Sequence, residues 1–262
     1  MNTRFLFAWT TLLLIVSISA VAQGPRPAPA PSGAPAPAGG VGPGGPGPGG
    51  GTSFVDPGQL HLDYVLLPPP PADKNSEAEK ADLAELHRIE QARTPAQVAA
   101  AQADEREMDI FVYRTVLGDK FNAANLPLTA ELSEGVHRQA SAAIGPLKEE
   151  YRRPRPYQFD STLHPVCNTT NLPASYPSGH AIIGYLEAFT LAQIVPEKQK
   201  EILERADDYA HNRAVCGVHY PTDLTSGKEA SYAVFGEMMT SAEFQKELAA
   251  ARAETRKLLG LK

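Results

Sequence analysis

Residues 178–195, SGHAIIGYLEAFTLAQIV, decide the fold class. Ile182, Ile183, Leu186, Phe189, Leu191 and Ile194 leave no clear polar stripe at helical period, and a helix apolar nearly all round belongs in the middle of a bundle. Ser178 is a good N-cap and Pro196 stops the run. Glu187 interrupts the segment, and no other stretch after the N-terminal apolar run is long enough to cross a bilayer.

The flanking sequence is helical on both sides. Downstream, residues 197–213, Leu224–Met239 and Ser241–Leu259 read as helices. Upstream, Thr129–Tyr151 reads as one helix or two, with Gly145-Pro146 as a kink or break. Met108, Phe111, Val112 and Thr115/Val116 recur at helical spacing up to Gly118. Thr94 and Pro95 are an N-cap and first helical position, and residues 75–91 are rich in Glu, Ala, Lys and Leu. After residue 71 neither strand alternation nor an internal repeat is visible. The expected fold is all-α, a helical bundle.

The N-terminal part differs in kind. Residues 1–22 read as a secretory signal: Arg4, an apolar run from Phe5 to Ile18, and the small-residue cleavage site Ala20-Val21-Ala22. An uncleaved membrane anchor is the alternative. Residues 23–51 are almost entirely Pro, Gly and Ala, too poor in apolar side chains to fold, and read as a tether. Residues 52–71 read as an arm laid on the domain by Tyr64, Val65, Leu66 and Leu67. The folded domain is expected over 52–262, long enough for a core of its own.

The 262 residues carry a formal charge of −6 with acidic and basic residues interspersed. No basic stripe is present, which argues against a nucleic-acid partner. Cys167 and Cys216 are the only cysteines, so one intramolecular bridge is possible. Export favours it, and a loop of that length would stabilise the fold by roughly 4 kcal/mol. The other reading is two buried free thiols.

Three clusters carry chemistry: KEEYRRPRP (148–156), YPSGH (176–180) and NRAVCGVHYPTD (212–223). Lys148, Arg155 and Arg213 offer positive charge, and an arginine fork suits a phosphate. Ser178-Gly179-His180 opens the apolar helix, whose N-terminal N–H groups favour anions. Gly179 lets an oxygen approach closely, and the Ser178 hydroxyl can donate or simply cap. His219 and Asp223 are four apart, so a helical turn lets the carboxylate fix the imidazole tautomer and free the other nitrogen to attack. His180 then protonates the leaving group, which assigns His219 neutral and His180 protonated at the start. A bell-shaped rate profile on the acid side of neutrality follows.

In order and spacing these clusters resemble the signature of the type 2 phosphatidic acid phosphatase superfamily: K-x6-R-P at Lys148 and Arg155-Pro156, P-S-G-H at 177–180, and R-x5-H-x3-D at Arg213, His219 and Asp223. The local wording is most similar to bacterial class A nonspecific acid phosphatases. The resemblance implies a phosphate site of Lys148, Arg155, Ser178, Gly179 and Arg213. It implies His180 as general acid, His219 as nucleophile and Asp223 as its orienting partner, an all-helical fold, a phosphohistidine intermediate, and neither cofactor nor metal. It further implies small phosphorylated substrates and a homodimer or larger assembly, and the signal at 1–22 sets the expected location as periplasmic or secreted. One position departs: Asn212 stands where the signature has serine.

Rival readings are a vanadium-dependent haloperoxidase, a membrane lipid phosphatase, and a non-catalytic envelope protein that binds phosphate. A binding protein would not require two histidines and Asp223. The chain has no H-E-x-x-H and no Asp-rich cluster to indicate a metal-dependent hydrolase. His61, His87, His137, His164 and His211 read as surface or packed residues.

Overall fold

The structure, a computed structural model, describes residues 53–56 and 76–262. The signal, the Pro/Gly tether, His61 and the expected anchors Tyr64–Leu67 lie outside the described residues. Among those described the secondary structure is entirely helical. It comprises α1 (Glu77–Ala92), α2 (Pro95–Arg106), α3 (Arg114–Leu117), α4 (Pro127–Tyr151), α5 (Pro156–Phe159), α6 (Gly179–Ile194), α7 (Gln199–Val215), α8 (Pro221–Met238) and α9 (Ala242–Leu259). Short 3-10 turns precede α3 and α7.

Helix α6 is the axis. Ile182, Leu186, Leu191 and Ile194 are fully buried, and α4, α7, α8 and α9 all pack on it. Burying apolar side chains on every face is what its sequence demands. Gly184 lets α7 approach, because a Cβ there would lie 2.5 Å from the Tyr209 ring. Gly227 does the same for α8: a Cβ would meet the Ala181 Cβ at 2.8 Å and the Ser178 carbonyl at 3.0 Å. Both close approaches bring the ends of α7 and α8 to the N-terminus of α6.

Local signals account for most boundaries. Thr94 caps α2 in a reciprocal box with Gln97, Ser178 caps α6 and Ser241 caps α9. Gly118 leaves α3 with φ +90°, a conformation glycine adopts freely. Thr129–Tyr151 lies within one helix, with Pro146 accommodated inside it. The expected helix from Met108 to Gly118 is broken up. Asp109 accepts the Phe111 N–H, setting a 3-10 turn over Ile110–Tyr113, and only Arg114–Leu117 is α-helical. Near the N-terminus Phe54 sits over Gly135, where a Cβ would lie 2.3 Å from the ring, and packs edge-on against Phe244.

Candidate active site

The three sequence clusters converge where the N-terminus of α6 meets the α4–α5 connection and the turn from α7 into α8. The Ser178 N–H donates to the Asp223 carbonyl at 3.0 Å, joining the second cluster to the third. Lys148, in the last turn of α4, donates to the carbonyls of Ala174 (2.5 Å) and Pro177 (3.1 Å), joining the first to the second. The Arg155 Nη1 donates to the Val218 carbonyl (2.8 Å) and to His219 Nε2 (2.9 Å), joining the first to the third.

That last bond fixes a tautomer. A guanidinium is only a donor, so His219 Nε2 must accept with its lone pair. The ring proton is therefore on Nδ1, which donates to Asp223 Oδ2 at 3.2 Å. Asp223 is fully buried. Its Oδ2 also accepts from the Ser175 hydroxyl (2.6 Å) and the Tyr220 N–H (3.0 Å), and its Oδ1 accepts from Arg153 (2.7 Å). Burial pushes the Asp223 carboxyl up, and these bonds, with the Arg153 charge, work against that.

His180 lies on the first turn of α6, and its Nε2 meets the Glu105 carbonyl at 3.3 Å. A carbonyl only accepts, so Nε2 carries the proton and the lone pair lies on Nδ1. Burial and then the charge of Arg213 hold His180 well below the usual imidazole range. Burial and then Arg155 do the same to His219. The expected neutral His219 agrees with this environment. The expected protonated His180 is disfavoured by burial and the surrounding cations, so protonating it calls for an anion beside it that offsets them.

The cations are themselves out of balance. Lys148 is pulled down to about 7, by burial first and then by Arg155. Burial also lowers Arg155 and Arg213. The Nε–H groups of both arginines are buried without a hydrogen-bond partner. Unmet donors and crowded positive charge call for an anion with several acceptor oxygens. Ser178 accepts the Ala181 N–H at 3.4 Å and keeps its own hydrogen to donate. The N–H groups of Gly179 and His180 open α6, where no intrahelical acceptor exists. A Cβ on Gly179 would make only ordinary contacts, 3.5 Å to Ile144 Cδ1. The protein's own packing therefore does not demand glycine there.

Cys167 and Cys216 are joined by a disulfide, not left as free thiols. It fastens the 160–177 segment to the turn that carries His219, and the Val166 N–H donates to the Cys216 carbonyl at 3.0 Å. Arg213 also reaches Cys216 Sγ (3.6 Å) and Glu105 (3.5 Å). Asn212 turns away from this pairing: its amide donates to Asp104 (2.7 Å), which also takes a two-pronged contact from Arg205. Its work is to hold α2 against α7. Among the remaining histidines, His87 meets Asp160 (2.9 Å), His164 meets Glu90 (3.0 Å) and His137 meets the Met108 carbonyl (3.2 Å).

Sequence reasoning missed Arg153, Ser175 and the acidic pair Glu79 and Asp82 of α1. Arg153 Nη2 binds Glu79 (2.6 Å) and Asp82 (3.0 Å), all three nearly inaccessible. No spacing rule links residues more than 70 positions apart, and only the proximity of Arg153 to Arg155 was a usable signal.

A cluster of cations around one imidazole whose lone pair faces an arginine, with a second imidazole opposite in hydrogen-bond role, is equipment for group transfer to or from an oxyanion. The comparisons with known proteins say which kind. The model of the PAP2 superfamily matches residues 136–246, which hold all three clusters. A non-specific acid phosphatase of Providencia stuartii is 30% identical over 207 residues, 74% of this chain and 81% of the relative. An acid phosphatase of Zymomonas mobilis is 28% identical over 209 residues, 76% of this chain and 77% of the relative. A non-specific acid phosphatase of Salmonella typhimurium is 32% identical over 152 residues, 55% of this chain and 59% of the relative. The chain belongs to the PAP2 superfamily and groups there with acid phosphatases.

Proposed function

We propose that this phosphatase hydrolyses phosphate monoesters outside the cytoplasm, at acid pH and without a metal, through a phosphohistidine at His219. The observation that carries the reading is the paired geometry of His219. Its Nδ1–H is committed to Asp223, and its Nε2 lone pair points at Arg155, the group a phosphate would bind.

On this reading Lys148, Arg155, Arg213, Ser178 and the N–H groups that open α6 take the phosphoryl oxygens, and Arg155 leaves His219 Nε2 for one of them. The Nε2 lone pair forms the N–P bond as the ester P–O bond breaks. The departing oxygen takes a proton from His180. His180, now neutral, accepts a proton from water as that water attacks phosphorus, the N–P bond breaks, and phosphate leaves. Three fixed cations supply the charge stabilisation that a divalent ion supplies elsewhere, and they would repel one from the same pocket. The described helices include none long and apolar enough to cross a membrane. The signal-like residues 1–22 support export, and the resemblance supports a homodimer or larger assembly.

The pH sign follows from the shifts. Turnover needs His219 unprotonated and His180 protonated. Burial and the neighbouring cations push both imidazoles below 6.5. His219 thus stays a nucleophile into acid, and His180 loses its proton early as pH rises. The optimum falls on the acid side of neutrality.

The test is hydrolysis of p-nitrophenyl phosphate by purified residues 23–262 across pH, with EDTA and with vanadate. Acid-side turnover that resists EDTA and is blocked by vanadate is expected. Loss of turnover in EDTA contradicts metal independence, and a rate still rising above about pH 8 contradicts the histidine assignment, since free imidazole titrates near 6.5.

A further inference from the structure

We propose that Arg153 is a positioning residue for phosphoryl transfer: it anchors Asp223 to helix α1 and holds that carboxylate against His219. The proposal rests on the phosphohistidine reading above. Arg153 lies two residues before the phosphate-facing Arg155, yet its side chain turns the opposite way. Nη1 donates to Asp223 Oδ1 (2.7 Å) and to the Thr222 hydroxyl (2.8 Å). Nη2 donates to Glu79 (2.6 Å) and Asp82 (3.0 Å) on α1. The guanidinium lies 3.7 Å from the centre of the Tyr220 ring, which holds its plane.

The backbone closes the arrangement into a ring. The Ser175 N–H donates to the Arg153 carbonyl at 3.0 Å, and the Ser175 hydroxyl donates to Asp223 Oδ2 at 2.6 Å. Arg153 therefore bears on both carboxylate oxygens, on Oδ1 with its side chain and on Oδ2 through the backbone bond that places Ser175. Asp82 reinforces the same segment by accepting the Thr222 N–H (3.2 Å) and hydroxyl (2.5 Å). A surface ion pair would contribute little, but here Arg153 is 5% exposed and Asp223 is at 0%.

The chemical need is specific. When His219 gains phosphorus its ring becomes cationic, and Asp223 must be ionised and aligned to stabilise it. The charged and titratable groups that act on the His219–Asp223 pair are Arg153, Lys148 from α4, Arg155 at the start of α5, His180 from α6, Arg213 from α7, and Tyr176 and Tyr220, with Glu79 and Asp82 behind Arg153. Lys148, Arg155 and Arg213 will be engaged by phosphate. Arg153 is the cation that stays. Its removal makes the first proton on the His219–Asp223 pair easier to bind, whichever of the two holds it.

The test measures kcat against pH for Arg153→Met, Arg153→Lys and Glu79→Gln, with His219→Ala as the control. Arg153→Met should move the acid limb up by about 1 pH unit. Arg153→Lys, which keeps a cation, should bring it back. Glu79→Gln, which removes a rival for Arg153, should move it down. Inhibition by inorganic phosphate should change little, because both Nη atoms of Arg153 are committed to Asp223, Thr222, Glu79 and Asp82. Acid limbs that coincide across folded variants, with only the amplitude reduced, overturn the proposal and leave a structural role. Should Arg153→Met not fold, Glu79→Gln decides by the direction of its shift, and no shift counts against the proposal. Turnover surviving in His219→Ala overturns the phosphohistidine reading instead.

Discussion

Asp223 and Glu187 are both carboxyl groups sealed from solvent, at 0% and 1% exposure, yet the fold treats them in opposite ways. Asp223 has Arg153, Ser175, the Tyr220 N–H and His219 around it. Glu187, midway along α6, receives one hydrogen bond, from Ser133 at 2.7 Å, and its second oxygen has no partner. Burial drives the Glu187 carboxyl well above its usual range, with a nearby Asp109 adding to the effect and only Ser133 opposing it. Burial raises both carboxyls, but at Asp223 the surrounding donors and the Arg153 charge oppose it, as the proposed role beside His219 requires, whereas Glu187 is driven toward the neutral acid. Burial alone does not make a carboxylate functional. Its neighbours decide.

The largest break in that contrast comes from Asp223→Asn. It keeps the shape but removes the negative charge and replaces one of the two acceptor oxygens with a donor, and kcat should fall on the order of 10^3- to 10^4-fold. Glu187→Gln, by contrast, should leave kcat unchanged. Equal losses in the two would contradict the division of roles.

Ser175→Ala sharpens the account on the Asp223 side. It removes one charge-assisted bond to the carboxylate, and kcat should fall about tenfold, with little change in KM because Ser175 faces Asp223.

The smallest effect is on stability and lies on the Glu187 side. A carboxyl whose native pKa is raised stabilises the fold at low pH, and that contribution is lost as pH rises toward the native pKa. Glu187→Gln abolishes the loss. Its Tm should exceed that of the parent by about 2–4 °C near pH 8, and the gap should close near pH 4. A constant gap across pH would show that Glu187 does not change ionisation on folding.

Much of this was legible in the sequence, for identifiable reasons. The apolar run of α6 has a single stable environment, the centre of a bundle, and caps such as Thr94, Ser178 and Ser241 mark starts by local chemistry. The three clusters read together through their order and spacing, which resemble the superfamily signature; by geometry alone only His219 and Asp223, four apart, were linked. The support behind them was not legible. Glu79 and Asp82 look in sequence like the solvated face of an acidic helix, and only tertiary contact with Arg153 makes them part of the site. Asn212 was legible as a departure from the family pattern, but its partner Asp104, 108 positions away, was not. The Ile110–Leu117 stretch failed as one helix because the Asp109 cap sets a 3-10 turn before the α-period begins.

The most direct measurement is to mix the enzyme with ^32P-labelled substrate, quench in alkaline denaturant within milliseconds, and locate the label by peptide mapping. An acid-labile, alkali-stable label on the peptide that carries His219, absent in His219→Ala, is the predicted result. A turning-over enzyme that shows no label, or carries it on another residue, would contradict the account.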